Sequence, residues 1–131
     1  MDEPPYRVLV VDDDPMQLSL VGRALRGDAF AVEVSGSALG VTNLVRTFAP
    51  HLVLLDVRIP ELSGDRLLTL LRRQALPGTL LILYSACDLE QLRELAMKVG
   101  ADGWLSKSVE LTALGGKLRT LIEKEARRPA R

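Results

Sequence analysis

The chain has 131 residues, room for one domain and not comfortably for two. Lys plus Arg and Asp plus Glu each number 17, so net charge supplies no general pull toward nucleic acid or an acidic partner. Hydrophobic residues make up 47% and aromatic ones only 4%, which gives a sizeable core of aliphatic side chains, mostly Leu and Val. No apolar run reaches membrane-spanning length, and the acidic, Pro-rich start MDEPPY is unlike a signal peptide. One cysteine, Cys87, excludes an internal disulfide and suits a reducing cytoplasm.

In chain order, residues 1–6 read as a frayed lead-in and Arg7–Val11 as a buried strand. Asp14 is the expected N-cap of a first helix, with Pro15 at its first position and Gln17 able to close a capping box. That helix runs to about Arg26 with Leu18, Val21 and Leu25 on one face, and Gly27-Asp28 ends it. Ala31–Val34 is a second strand. Helical spacing of Ala38, Val41, Leu44, Val45 and Phe48 predicts a second helix over 37–48, stopped by Pro50. Leu52–Leu55 then form a continuous apolar run that leads into Asp56, and Pro60 and Ser63-Gly64 turn the chain. A third helix is expected over 65–74, with Leu67, Leu70 and Leu71 inward.

Leu80–Tyr84 is the fourth strand, ending in Ser85-Ala86. Asp88 can cap a fourth helix with Leu89, Leu92, Ala96 and Val99 inward, and Gly100 its C-cap. Asp102–Leu105 is a short fifth strand, followed by Ser106-Lys107-Ser108. The last helix starts near Val109 with Leu111, Leu114, Leu118, Leu121 and Ile122 inward; Gly115-Gly116 inside it costs roughly 2 kcal/mol against Ala-Ala, with no reason visible in the sequence. Residues 127–131 are a basic tail, and 1–126 the one domain.

Strand–helix alternation five times over predicts a parallel sheet with helices on both faces. The expected fold is α/β, flavodoxin-like and doubly wound, with five strands in the order 2-1-3-4-5. In that order the C-terminal ends of strands one and three flank the topological switch point, where Asp12, Asp13 and Asp56 meet. Two carboxylates about 4 Å apart repel by roughly 4 kcal/mol at an effective dielectric near 20, so such a cluster calls for a cation. All-oxygen ligands suit Mg²⁺, Mn²⁺ or Ca²⁺, and a site of few carboxylates points to Mg²⁺ and phosphoryl chemistry. Ser85 offers a hydroxyl and Lys107 a fixed cation at the two remaining strand ends. Alone, Ser85 is a loop hydroxyl and Lys107 a surface lysine; the joint occurrence carries the argument. Asp14 goes to the helix cap rather than to the metal.

With VVDDD after strand one, LLDVRIPELSG around Asp56, YSA at strand four and GADGWLSK at strand five, residues 6–125 resemble the receiver domain of two-component response regulators. The resemblance implies that Asp56 is the phosphoacceptor and that Asp13 directly, and Asp12 through water, hold Mg²⁺ with Asp56 and the backbone carbonyl of Arg58. It implies that Ser85 binds the phosphoryl group, that Lys107 pairs with it, and that Trp104 stands at the aromatic switch position. Arg58 and Cys87 fall where the family flanks the acyl phosphate. The implied partners are a sensor histidine kinase or phosphotransfer protein, and a downstream protein or a missing effector domain. The switching face is helix four, strand five and helix five, which also offers a route to a dimer. Direct nucleic-acid binding and a membrane are not expected, and the place is the cytoplasm. Enzyme activity beyond self-phosphorylation and autodephosphorylation is not implied.

Two departures stand out. Ser108 replaces the Pro that commonly follows the Lys, and a non-proline cis bond is costly. Trp104 is larger than the usual Tyr or Phe, so a core tryptophan and a switch residue both remain open. The alternative function is a phosphorylation-independent pseudo-receiver module, which the intact Asp set opposes. A small Mg²⁺-dependent phosphohydrolase is disfavoured by Arg58, where an acid usually stands. A dinucleotide binder lacks its Gly-rich loop after strand one. His51 precedes its strand and receives no role.

Overall fold

Five parallel strands line up in the order β2-β1-β3-β4-β5, as expected. They are β1 (Arg7–Val11), β2 (Ala31–Ser35), β3 (Leu52–Asp56), β4 (Leu80–Ser85) and β5 (Gly103–Ser106). The computed structural model describes residues 5–37, 40–56, 73 and 78–126. Among the described residues the helices are α1 (Pro15–Gly27), α2 (Val41–Phe48), α3 (Leu89–Val99) and α4 (Leu111–Ala126). The helix expected over 65–74 lies outside the described residues except Arg73, which is helical, so α3 and α4 are the fourth and last helices of the sequence reading. The basic tail at 127–131 also lies outside them.

Every residue of β3 and β4 is buried, which is why both read as unbroken apolar runs rather than alternating ones. Period-two alternation sends their side chains into two cores. On one face Val8, Val10, Leu54, Ile82 and Tyr84 pack with Val21 and Leu25 of α1 and Leu114 and Leu118 of α4. On the other, Leu9, Val11, Leu55 and Leu83 pack with Val45 of α2 and Leu92 of α3. Parallel registry sets Val11 beside Leu55, Asp56 beside Tyr84 and Ser85 beside Ser106, so the chemistry-bearing ends fall on one edge.

Two aspartates start helices as expected. Asp14 accepts from the Met16 N–H at 2.9 Å, with Pro15 next, and Asp88 accepts from the Gln91 N–H at 2.9 Å. The capping box through Gln17 is not the arrangement found: the Asp14 N–H donates to Asp12 Oδ1 at 3.0 Å instead. Gly100 closes α3 at φ 76°, the left-handed conformation that favours glycine. Leu89 is not inward but 60% exposed, because burial along α3 begins only at Leu92, after an exposed Leu89–Gln91. β5 begins one residue later than expected, since Asp102 is spent on anchoring: its N–H donates to the Leu81 carbonyl and its carboxylate accepts the Leu81 N–H, both at 2.8 Å. α2 begins at Val41 with Gly40 as its cap; residues 38–39 of the expected range lie outside the described ones. α4 begins at Leu111, because the Val109 N–H is held in a turn by the Ser106 carbonyl at 3.1 Å.

The glycine pair in α4 divides into two cases. A Cβ on Gly115 would come within 2.9 Å of Asp28 Cγ and closer still to Oδ2, so the bare backbone lets the end of α1 approach. Arg119 completes that junction by donating to the Asp28 carbonyl at 2.7 Å while its guanidinium lies 4.6 Å from the Phe30 ring centroid. Gly116 has open space around it.

Candidate functional site

The strand ends bring Asp12, Asp13 and Asp56 together, each with a carboxylate oxygen within 4.8 Å of the others. Asp12 and Asp56 are buried at 3% and 2% exposure, while Asp13 faces solvent. The reason is local. β1 ends at Val11, so Asp12 continues into the sheet edge, its N–H donating to the Ser35 carbonyl at 3.1 Å, and Asp13 turns outward before the α1 cap. Asp14 remains the helix cap and not a member of the cluster.

Lys107, 95 positions from Asp12 in sequence but adjacent in space, places its ammonium between the two buried carboxylates. Its Nζ is 2.7 Å from Asp12 Oδ2 and 3.5 Å from Asp56 Oδ2. At these separations the attraction offsets much of the carboxylate repulsion, which amounts to about 3 to 4 kcal/mol per pair near 4.8 Å at an effective dielectric of 20. Both oxygens of Asp12 are thus engaged, one by Lys107 and one by the Asp14 N–H. Asp13 keeps an open approach from solvent.

Ser85 ends β4 and is buried at 1% exposure. Its Oγ accepts the Cys87 N–H at 3.2 Å, and its carbonyl accepts the Lys107 N–H at 2.8 Å. The residue expected to meet a phosphoryl oxygen is therefore tied directly to the backbone of the lysine. Trp104 lies opposite Leu83 on the edge strand β5 and is 37% exposed. With Leu105, Gly116, Lys117, Thr120 and Leu121 it lines an apolar groove between β5 and α4. Arg58 lies outside the described residues.

Tyr84 belongs to the site and was not singled out in the sequence. The Lys107 ammonium lies 5.7 Å from its ring centroid, within cation–π range. Burial first, and the Asp12 charge second, push the Tyr84 hydroxyl above its ordinary 10.0. The signal was present, since Asp56 pairs with Tyr84 across the β3–β4 ladder, but an aromatic residue in a strand reads first as core. His51 is at the other end of β3, buried, with Nδ1 accepting the Arg7 N–H at 2.9 Å and its ring edge-on to Tyr6.

The donor set is hard and anionic: three carboxylates with one side open to solvent, the environment that suits an oxygen-loving divalent cation. A model of the response regulator receiver domain matches residues 8–119. The chain belongs to this family. It is 31% identical to the alkaline phosphatase synthesis transcriptional regulatory protein SphR of Synechococcus elongatus, over 97% of this chain and 52% of that protein. It is 30% identical to the DNA-binding response regulator MtrA of Mycolicibacterium smegmatis, over 99% of this chain and 56% of that protein. The chain spans about half the length of these relatives. Among solved structures, the receiver domain of Bermanella marisrubri superposes at a TM-score of 0.76 with 29% identity, covering 88% of this chain and 97% of that one. A CheY-like receiver from Methanospirillum hungatei gives a TM-score of 0.80 at 24% identity, covering 92% of this chain and 96% of that one, a likeness of fold.

Proposed function

We propose that this receiver domain is a phosphoacceptor switch in which Asp56 takes a phosphoryl group from a sensor histidine kinase or a phosphotransfer protein. The observation that carries the reading is the placement of Lys107 against Asp12 and Asp56 beside an open Asp13. An Asp56 oxygen attacks phosphorus, an O–P bond forms, and the P–N bond to the donor imidazole breaks as that nitrogen takes up a proton. Asp12, Asp13 and Asp56, with the Arg58 carbonyl, would hold Mg²⁺, which when bound neutralises charge on the phosphoryl oxygens. Lys107 leaves Asp12 and follows the new charge, and the Ser85 hydroxyl donates to a phosphoryl oxygen. Because the Lys107 N–H is held by the Ser85 carbonyl, the two move as one unit.

The output is a change of surface on α3, β5 and α4, with Trp104 as the residue that feels the site. The face serves a downstream protein, an effector domain in a longer chain, or a second copy. The named relatives are DNA-binding or transcriptional regulators, so in that setting the receiver would control an effector domain and not itself touch nucleic acid. The domain is assigned to residues 1–126, with 127–131 a basic tail. No helix among the described residues is long and apolar enough to cross a membrane, and we place the protein in the cytoplasm. It is a switch rather than a turnover enzyme.

Acetyl phosphate with Mg²⁺ should add one phosphoryl group to the chain, as an acid-labile acyl phosphate mapped to Asp56. Omitting Mg²⁺, or Asp56→Asn, should prevent it. Labelling elsewhere, or none with any donor, would leave a pseudo-receiver as the reading.

A further inference from the structure

The turn around Lys107 is closed by a serine on either side of it. Ser106, the last residue of β5, accepts the Ser108 N–H on Oγ at 3.0 Å, and the two hydroxyl oxygens lie 2.8 Å apart. Its carbonyl accepts the Val109 N–H at 3.1 Å. Ser106 therefore grips the chain beyond Lys107 with both side chain and main chain. On the near side, the Lys107 N–H is fixed to the Ser85 carbonyl at 2.8 Å. Between these anchors a single residue projects, and its ammonium is delivered to Asp12.

A lysine stem has four rotatable bonds, so the direction of its Cα–Cβ bond decides where the charge can go. Fixing that direction by an Oγ acceptor two residues apart is the local turn chemistry of serine. It requires an N–H at position 108, which a proline would not have. The contact that matters is therefore Ser106 Oγ with the Ser108 N–H, not the Ser108 hydroxyl.

We propose that Ser106 is a positioning residue that aims Lys107 at the buried carboxylates. Its bearing on phosphoryl transfer rests on the function proposed above. The competing view is that the serine pair only tidies a surface turn, with Lys107 held by the Ser85 contact and its own ion pair.

The full chain, labelled with ¹⁵N-lysine and free of metal, separates the two. The Lys107 Nζ resonance is assigned by its loss in Lys107→Arg. In Ser106→Ala it should move toward the solvent-exposed lysines and broaden. Ser106→Thr, which keeps Oγ, should restore it, and Ser108→Ala, which keeps the N–H, should leave it close to wild type. The Ser106 side chain is only half-buried and takes no part in the sheet ladder, so these variants should keep the native amide spectrum. An Nζ signal unchanged in Ser106→Ala overturns the proposal.

A second readout is the rate of labelling by acetyl phosphate with Mg²⁺. Ser106→Ala should lower the maximal rate about fivefold, the rate equivalent of one ordinary hydrogen bond, without changing the donor concentration at half-saturation. A change confined to half-saturation also counts against aiming. If the wild-type chain takes up no phosphoryl group, the proposed function fails, and the Nζ measurement in the metal-free protein still decides the role of Ser106.

Discussion

Lys107 lies nearer to Asp12 than to Asp56, at 2.7 Å against 3.5 Å. In the metal-free chain the lysine thus neutralises Asp12, the proposed metal ligand, first and Asp56, the proposed phosphoacceptor, second. Its side chain is 10% exposed and that of Asp12 4%, so the pair is screened little by solvent.

Removing the ammonium should therefore destabilise the metal-free protein. Breaking a buried pair from one side costs about 3 kcal/mol, and Lys107→Met should show a loss of that order in urea denaturation. Mg²⁺ at a hundred times its Kd should recover about 2.7 kcal/mol by mass action, and Asp13→Ala should remove that recovery. A Lys107→Met chain as stable as wild type without metal would mean that the carboxylates are not held in tension.

The two glycines of α4 should respond with opposite signs. Gly115→Ala drives a methyl into Asp28 and should cost about 1 to 3 kcal/mol. Gly116→Ala meets open space inside a helix and should gain up to about 1 kcal/mol. Thermal melts of the two variants, and of Gly115→Ala combined with Asp28→Ala, check this. Equal effects at 115 and 116 would sink the close-approach explanation.

Tyr84 carries a pH dependence whose sign follows from its raised pKa. The folded chain holds the phenolic proton more tightly than the unfolded chain, so stability is intact below pH 10 and falls as pH rises above it. Tyr84→Phe should flatten that alkaline limb in denaturant midpoints measured from pH 8 to 11. An identical slope in the variant would assign the fall to other groups.

Trp104 should report the switch. It is 37% exposed, and an inward movement when beryllofluoride and Mg²⁺ occupy the site should shift its emission to the blue relative to Mg²⁺ alone. A ligand moves such an equilibrium only through its differential affinity for the two states, so Ser85→Ala should weaken the shift. Bound beryllofluoride with unchanged emission would make Trp104 a bystander and move the output to another face.

What could be read in advance follows a physical line. β1 was bounded correctly, and β3 was located through Asp56, because a doubly buried strand is an apolar run with abrupt polar ends. The carboxylate cluster was legible because strand order converts sequence-distant ends into neighbours. Leu89 was misplaced because helical spacing defines the middle of an apolar stripe better than its first turn. The purpose of Gly115 depends on Asp28, 87 positions away, and no local pattern encodes such an approach. The pairing of Lys107 with Asp12, and the ring of Tyr84 beside it, depend on side-chain reach across strand ends rather than on periodicity.

Asp14 caps α1 through its carboxylate and, through its own N–H, holds Asp12 Oδ1. The first turn of the helix and the acidic pocket consequently share one peptide unit. Fraying of that turn releases an oxygen of Asp12, and any event that withdraws Asp12 frees the amide to solvent. Hydrogen exchange at this single amide would therefore follow the state of the pocket without a label placed in it, and a worn helix end would be felt as a change in ligand affinity before it was felt as a loss of fold.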